Sequence, residues 1–128
     1  MKHILLLTLA AFAGRAAAAD EVDFKKDIAP VLEASCVKCH NAEKKKGKLD
    51  MSTKDAFMKG GEDGKIVEAG KADASKLIKS VLLPADDDDA MPPKDKAPRP
   101  TAAQIEALKK WINGGANWPD GVTLKAAK

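Results

Sequence analysis

Five consecutive residues, Cys36-Val37-Lys38-Cys39-His40, limit what this chain can fold into more tightly than anything else in it. At this spacing two thiols can each bond one vinyl-derived carbon of a haem, and the histidine then sits beneath the iron. A chain built on that attachment must wrap a flat, largely apolar disc. Other chemistries suit the same residues less well. A structural zinc site wants four Cys or His ligands, and beyond residue 19 there are two cysteines and one histidine. A thioredoxin-like dithiol wants a preceding strand and a βαβ surround, and neither pattern is visible. A Cys36–Cys39 disulfide would close too short a loop to stabilise much.

The N-terminus reads as an export signal. Lys2 and His3 precede an apolar run from Ile4 to Ala13, and small residues follow, ending in Ala17-Ala18-Ala19. This is the charged, apolar, small-residue order of a secretory leader. The run is too short for a bilayer span, which needs about 20 residues, so stable membrane insertion is not expected. The expected organisation is a signal peptide at 1–19, cleaved near Ala19, and one monohaem domain at 20–128. The expected location is the periplasm, since many bacteria attach such haems outside the cytoplasm.

Charge excludes one class of partner. The whole chain carries 22 Lys and Arg against 19 Asp and Glu. Without the leader, 20 basic residues face 19 acidic ones. A near-neutral balance gives no reason to expect nucleic acid binding. The charges are grouped, with Lys44, Lys45, Lys46 and Lys48 in one cluster and Asp86, Asp87, Asp88 and Asp89 in another. Each is either a solvated loop or a docking surface for a redox protein partner.

Four helices are predicted, and no segment alternates well enough for a sheet. Asp27 can cap a helix from Ile28 with apolar residues Ile28, Val31 and Leu32, after a turn at Asp23 and Phe24. Residues 54–59 form a short helix stopped by Gly60-Gly61. Asp73 or Ser75 caps a third, with Leu77, Ile78 and Val81 inward and Pro84 beyond its end. Thr101 and Gln104 make a capping box for the last, Gly114 stops it, and Ile105, Leu108, Trp111 and Ile112 share a face.

His40 is the one histidine beyond the leader, so bis-histidine ligation within the chain is excluded. Met51, Met58, Met91 and the lysines are the candidates for a second axial ligand. Met91 stands in Ala90-Met91-Pro92-Pro93, a stiff strap between charged flanks and a poor context for ordinary core packing. Its soft thioether suits haem iron. Pro92 restricts Met91 to extended backbone.

The motif at 36–40, Met91-Pro92-Pro93 and Trp111-Ile112-Asn113-Gly114-Gly115-Ala116-Asn117-Trp118-Pro119 together resemble class I cytochrome c. More narrowly, they are similar to the single-haem planctomycete-type cytochrome c domain, as are Lys46-Gly47-Lys48-Leu49 and Gly60-Gly61. The likeness covers about residues 22–120. It implies a small all-α fold whose first and last helices cross around one haem c. It also implies thioether bonds at Cys36 and Cys39 and iron ligation by His40 and Met91. Lys48 departs from the pattern, which often has glycine before the leucine.

The function expected from this reading is single-electron transfer by a monomeric carrier with no substrate turnover of its own. The alternative is a haem-containing subunit, or a peroxidase-like or ligand-binding protein with an openable sixth position.

Overall fold

Asp23 opens the first element by accepting a hydrogen bond from the Lys26 amide at 3.0 Å, while Asp27 reaches back to the Asp23 amide at 2.9 Å. This reciprocal cap holds a π-helical turn, Phe24–Ile28, in the computed structural model, which describes residues 22–127. Helix α1 continues from it over Ala29–Ser35 with Pro30 in its first turn. Asp27 is therefore inside a turn rather than capping α1, because the chain is already coiled before it. The expected leader and its cleavage near Ala19 lie outside the described residues.

The later helices follow their local signals. Helix α2 spans Lys54–Lys59, with the Thr53 side chain as its cap and Gly60 ending it at φ +80°. A Cβ on Gly60 would meet the Gly64 carbonyl oxygen at 2.2 Å, so the close return of the chain also demands glycine. Helix α3 spans Lys76–Leu82. Its preceding Ser75 does not cap it. The Ser75 hydroxyl is buried, donating to the Lys71 carbonyl and accepting from the Glu68 amide. Helix α4 spans Ala102–Asn113 with both halves of the Thr101/Gln104 capping box formed. Two short 3-10 turns, Lys46–Lys48 and Ala72–Ala74, complete the helical inventory among the described residues. Only isolated bridges, His40 with Lys45 and Gly61 with Gly64, stand outside it. The fold is all-α.

All four aromatic residues among the described residues meet in one cluster. Phe24 and Phe57 each touch both Trp111 and Trp118, with ring centroids 4.6–5.7 Å apart in tilted arrangements, the separations favoured by aromatic pairs. Ile28, Leu32, Leu108 and Ile112 extend this core.

The pairing of the chain's two ends differs from the expectation in detail. Helix α4 packs on the Phe24–Ile28 turn, on Ala72–Ala74 and on α3. Ile28 and Trp111 take part as expected, but Ile105 is only half-buried. The contact is displaced toward the π turn because Phe24, ahead of the expected helix, supplies the ring that Trp111 and Trp118 need. The C-terminus of α4 is tied in by the Gly70 amide to the Ile112 carbonyl and by the Ala72 amide to the Asn113 side chain.

Candidate functional site

The end of α1 delivers the motif. Cys36 through Cys39 turn sharply, with the His40 amide donating to the Cys36 carbonyl at 3.1 Å. The chain then folds back over residues 41–51, and the Met51 amide donates to the His40 carbonyl at 2.8 Å. Asn41 fastens this return. Its side-chain amide donates to the Val37 carbonyl at 2.8 Å, and its oxygen accepts from the amides of Glu43 and Lys44. Nothing in the spacing of the motif marks Asn41. An asparagine directly after a tight turn is the signal that could have found it.

His40 Nδ1 donates to the Lys46 carbonyl at 2.9 Å. A carbonyl can only accept, so Nδ1 carries the proton and the lone pair of the neutral ring lies on Nε2. Burial lowers the ring's pKa below 6.5, against an upward push from the Lys46 and Leu49 carbonyls. The neutral form that can ligate a metal is thereby favoured. Burial also pushes the Cys36 thiol up to about 12, with Cys39 adding to the effect. Cys36 is thus held as a thiol rather than as a thiolate ready for a metal. Among the described residues no three Cys, His, Asp or Glu side chains cluster as a metal site would require.

Cys36, Cys39, His40 and Met91 all line one cavity of about 490 Å³, within the usual range for cofactor sites. Its wall is mostly apolar, with Leu49, Met51, Ile66, Leu77, Val81 and Pro92 contributing. Both cysteines are free. A flat apolar ring with two reactive edge carbons and a metal centre fits this donor set. A larger, more open hollow of about 860 Å³ lies over Phe24, Met58, Trp111 and Trp118, and no residue of the motif reaches it.

The three candidate methionines are placed differently. Met91 is 37% exposed and Met51 only 2%, and both line the cavity. Met58 is turned away and packs against the core. Met91 is held by its amide to the Ser80 carbonyl at 3.1 Å, and the Met91–Pro92 peptide is cis.

The segment carrying Met91 is anchored from both sides. Ser35, next to the motif, donates to the Pro98 carbonyl at 2.6 Å. Arg99 donates to the carbonyls of Val81 at 3.1 Å and Leu83 at 2.6 Å, closing the C-terminus of α3. Such roles for Ser35 and Arg99 are set by contacts distant in sequence. Lys44, Lys45, Lys46 and Lys48 are exposed, as are Asp86 through Asp89.

Gly47 and Lys48 both have positive φ, +66° and +56°. The departure at Lys48 thus falls where the backbone favours glycine. The turn is kept close by the Glu62 amide, which donates to the Gly47 carbonyl at 2.9 Å.

No helix among the described residues is long and apolar enough to cross a membrane. No curated protein and no solved structure gives a significant match to the chain. Residues 36–95, which run from the first cysteine of the motif past Met91 and both prolines, match the family model described as Planctomycete cytochrome C.

Proposed function

We propose that this chain is an exported, single-haem c-type cytochrome of the planctomycete type that carries electrons one at a time between protein partners. The observation that carries the reading is the convergence of Cys36, Cys39, His40 and Met91 on one apolar cavity, although Met91 is remote from the motif in sequence. The family match over the same segment supports it.

Bound haem supplies a one-electron iron couple. Cys36 and Cys39 hold the group covalently, and this fixes its edge to the end of α1. His40 offers Nε2 because Lys46 keeps the proton on Nδ1, the arrangement that orients a ligating imidazole and raises its basicity. Met91 would offer its thioether from a separate segment of the cavity lining. Leu49, Ile66, Leu77 and Val81 keep water from the faces of the site. An apolar surround disfavours the form with more positive charge, so it raises the reduction potential, as Met–His ligation also does.

The partial exposure of Met91 supports a second reading, in which the sixth position opens to small ligands. Two measurements on protein matured with haem-attachment machinery decide between them. Denaturing mass spectrometry should give the leader-free chain plus one haem, and a chain without haem mass overturns the proposal. The reduced protein should be inert to carbon monoxide, and rapid carbon monoxide binding would establish the open-site alternative.

A further inference from the structure

A haem in this cavity brings two propionates, and their position follows from the constitution of the ring. The vinyl-derived carbons that bond cysteine lie on one half of the macrocycle and the propionates on the other. The attachment side of the cavity is identified by contacts to the motif. Lys46 belongs to it, because its amide donates to the Cys39 carbonyl and its own carbonyl holds His40. Lys96 belongs to it too, because Lys38 Nζ donates to the Lys96 carbonyl at 3.4 Å and the neighbouring Pro98 accepts from Ser35. The remaining lining cations are Lys76 and Lys79 on α3. Helix α3 packs on Ala72–Ala74 and on α4.

We propose that Lys79, assisted by Lys76, forms the subsite for the haem propionates, an inference that rests on the haem reading above. The two lysines stand three residues apart on α3 and so share a face. Lys76 is shared with Asp63, to which it is bonded at 3.1 Å. Lys79 has no carboxylate partner among the described residues, leaving its charge for the cofactor. The other charged groups of the lining sharpen the choice. Asp63 is held by Lys76, which leaves Lys79 as the principal cation for a propionate, while Glu62 and Asp89 elsewhere in the lining would repel one. Lys79 is exposed and Lys76 half-exposed. This is how a cation at a solvent-facing edge meets a carboxylate without the cost of burying either charge.

The test uses the haem-loaded full chain, with the propionate bending band in the resonance Raman spectrum as one readout and the reduction potential as the other. Lys79→Gln should move the band and lower the potential, because an uncompensated carboxylate favours ferric iron. Lys76→Gln/Lys79→Gln should go further, Lys79→Arg should restore both, and Lys44→Gln, away from the cavity, should change neither. An unmoved band in the double variant, or a band that responds to Lys46→Gln or Lys96→Gln instead, overturns the proposal. Failure of the haem reading looks different, since the purified chain would then carry no covalent haem at all.

Discussion

The imidazole of His40 is locked to the carbonyl of Lys46 by a 2.9 Å hydrogen bond, so the orientation of the proposed iron ligand depends on a backbone atom in the neighbouring loop. That carbonyl is held by the turn Lys46–Lys48, whose central Gly47 sits at φ +66°. A Cβ at Gly47 would meet nothing nearer than the Glu62 carboxylate at 3.9 Å, so the cost of adding one is conformational rather than a clash at that atom. Gly47→Val should cost about 1–2 kcal/mol in chemical denaturation and perturb the Soret band through a displaced Lys46 carbonyl. An unchanged spectrum would detach the turn from the histidine.

Lys48 supplies the converse experiment. Its φ of +56° is a left-handed conformation that an L-residue adopts at a cost. Its side chain is exposed and forms no ion pair among the described residues. Lys48→Gly should stabilise the folded protein by up to about 1 kcal/mol, the strain relieved less the extra chain entropy glycine loses. A clear loss of stability would mean that the lysine makes a contact with the cofactor or the surrounding loop that outweighs its backbone strain.

Trp111 tests the core behind the site. It is buried, touches Phe24 and Phe57, and donates from Nε1 to the Asn117 carbonyl at 2.8 Å. Trp111→Ala should cost about 3–5 kcal/mol. Trp111→Phe should cost less, because it keeps part of the packing and loses chiefly the hydrogen bond, about 1 kcal/mol. A denaturation shift below about 0.5 kcal/mol for the alanine variant, the range of surface substitutions, would contradict the aromatic cluster.

Local signals were legible in the sequence because their partners are near neighbours. The capping box of Thr101 and Gln104, the stop at Gly60 and the inward faces of α3 and α4 each follow from residues within one or two turns of each other. What could not be read depends on the fold closing. Phe24 looks like part of a minor turn until Trp111 and Trp118 are brought to it. Ser75 looks like a helix cap until Glu68 and Lys71 enclose its hydroxyl. Ser35 and Arg99 gain meaning only when the irregular segment returns to α1 and α3. The gathering of both cysteines, His40 and Met91 at one cavity stands apart, since the motif, the Met91-Pro92-Pro93 strap and the family resemblance point to it, although two helices separate Met91 from the motif.

Met91 is the residue on which the electron-transfer reading turns. Met58 packs into the core away from the cavity, whereas Met51 lines it and is tethered through its amide to the His40 carbonyl. That tether is on the main chain of the histidine itself, which places Met51 on the histidine's own side rather than across the site. Met91 comes from a separate segment fastened to Ser80 and, beyond it, to α1 and α3. Met91→Ala should retain covalent haem, lose the weak far-red absorption of methionine-ligated ferric haem, and lower the reduction potential. It should also admit carbon monoxide to the reduced iron. Met51→Leu and Met58→Leu should keep the far-red band. If Met51→Leu abolishes the band while Met91→Ala preserves it, the ligand is Met51 and the histidine loop supplies both axial groups. If neither variant changes it, the sixth ligand is not a cavity methionine, and the lysines that line the cavity become the residues to replace next.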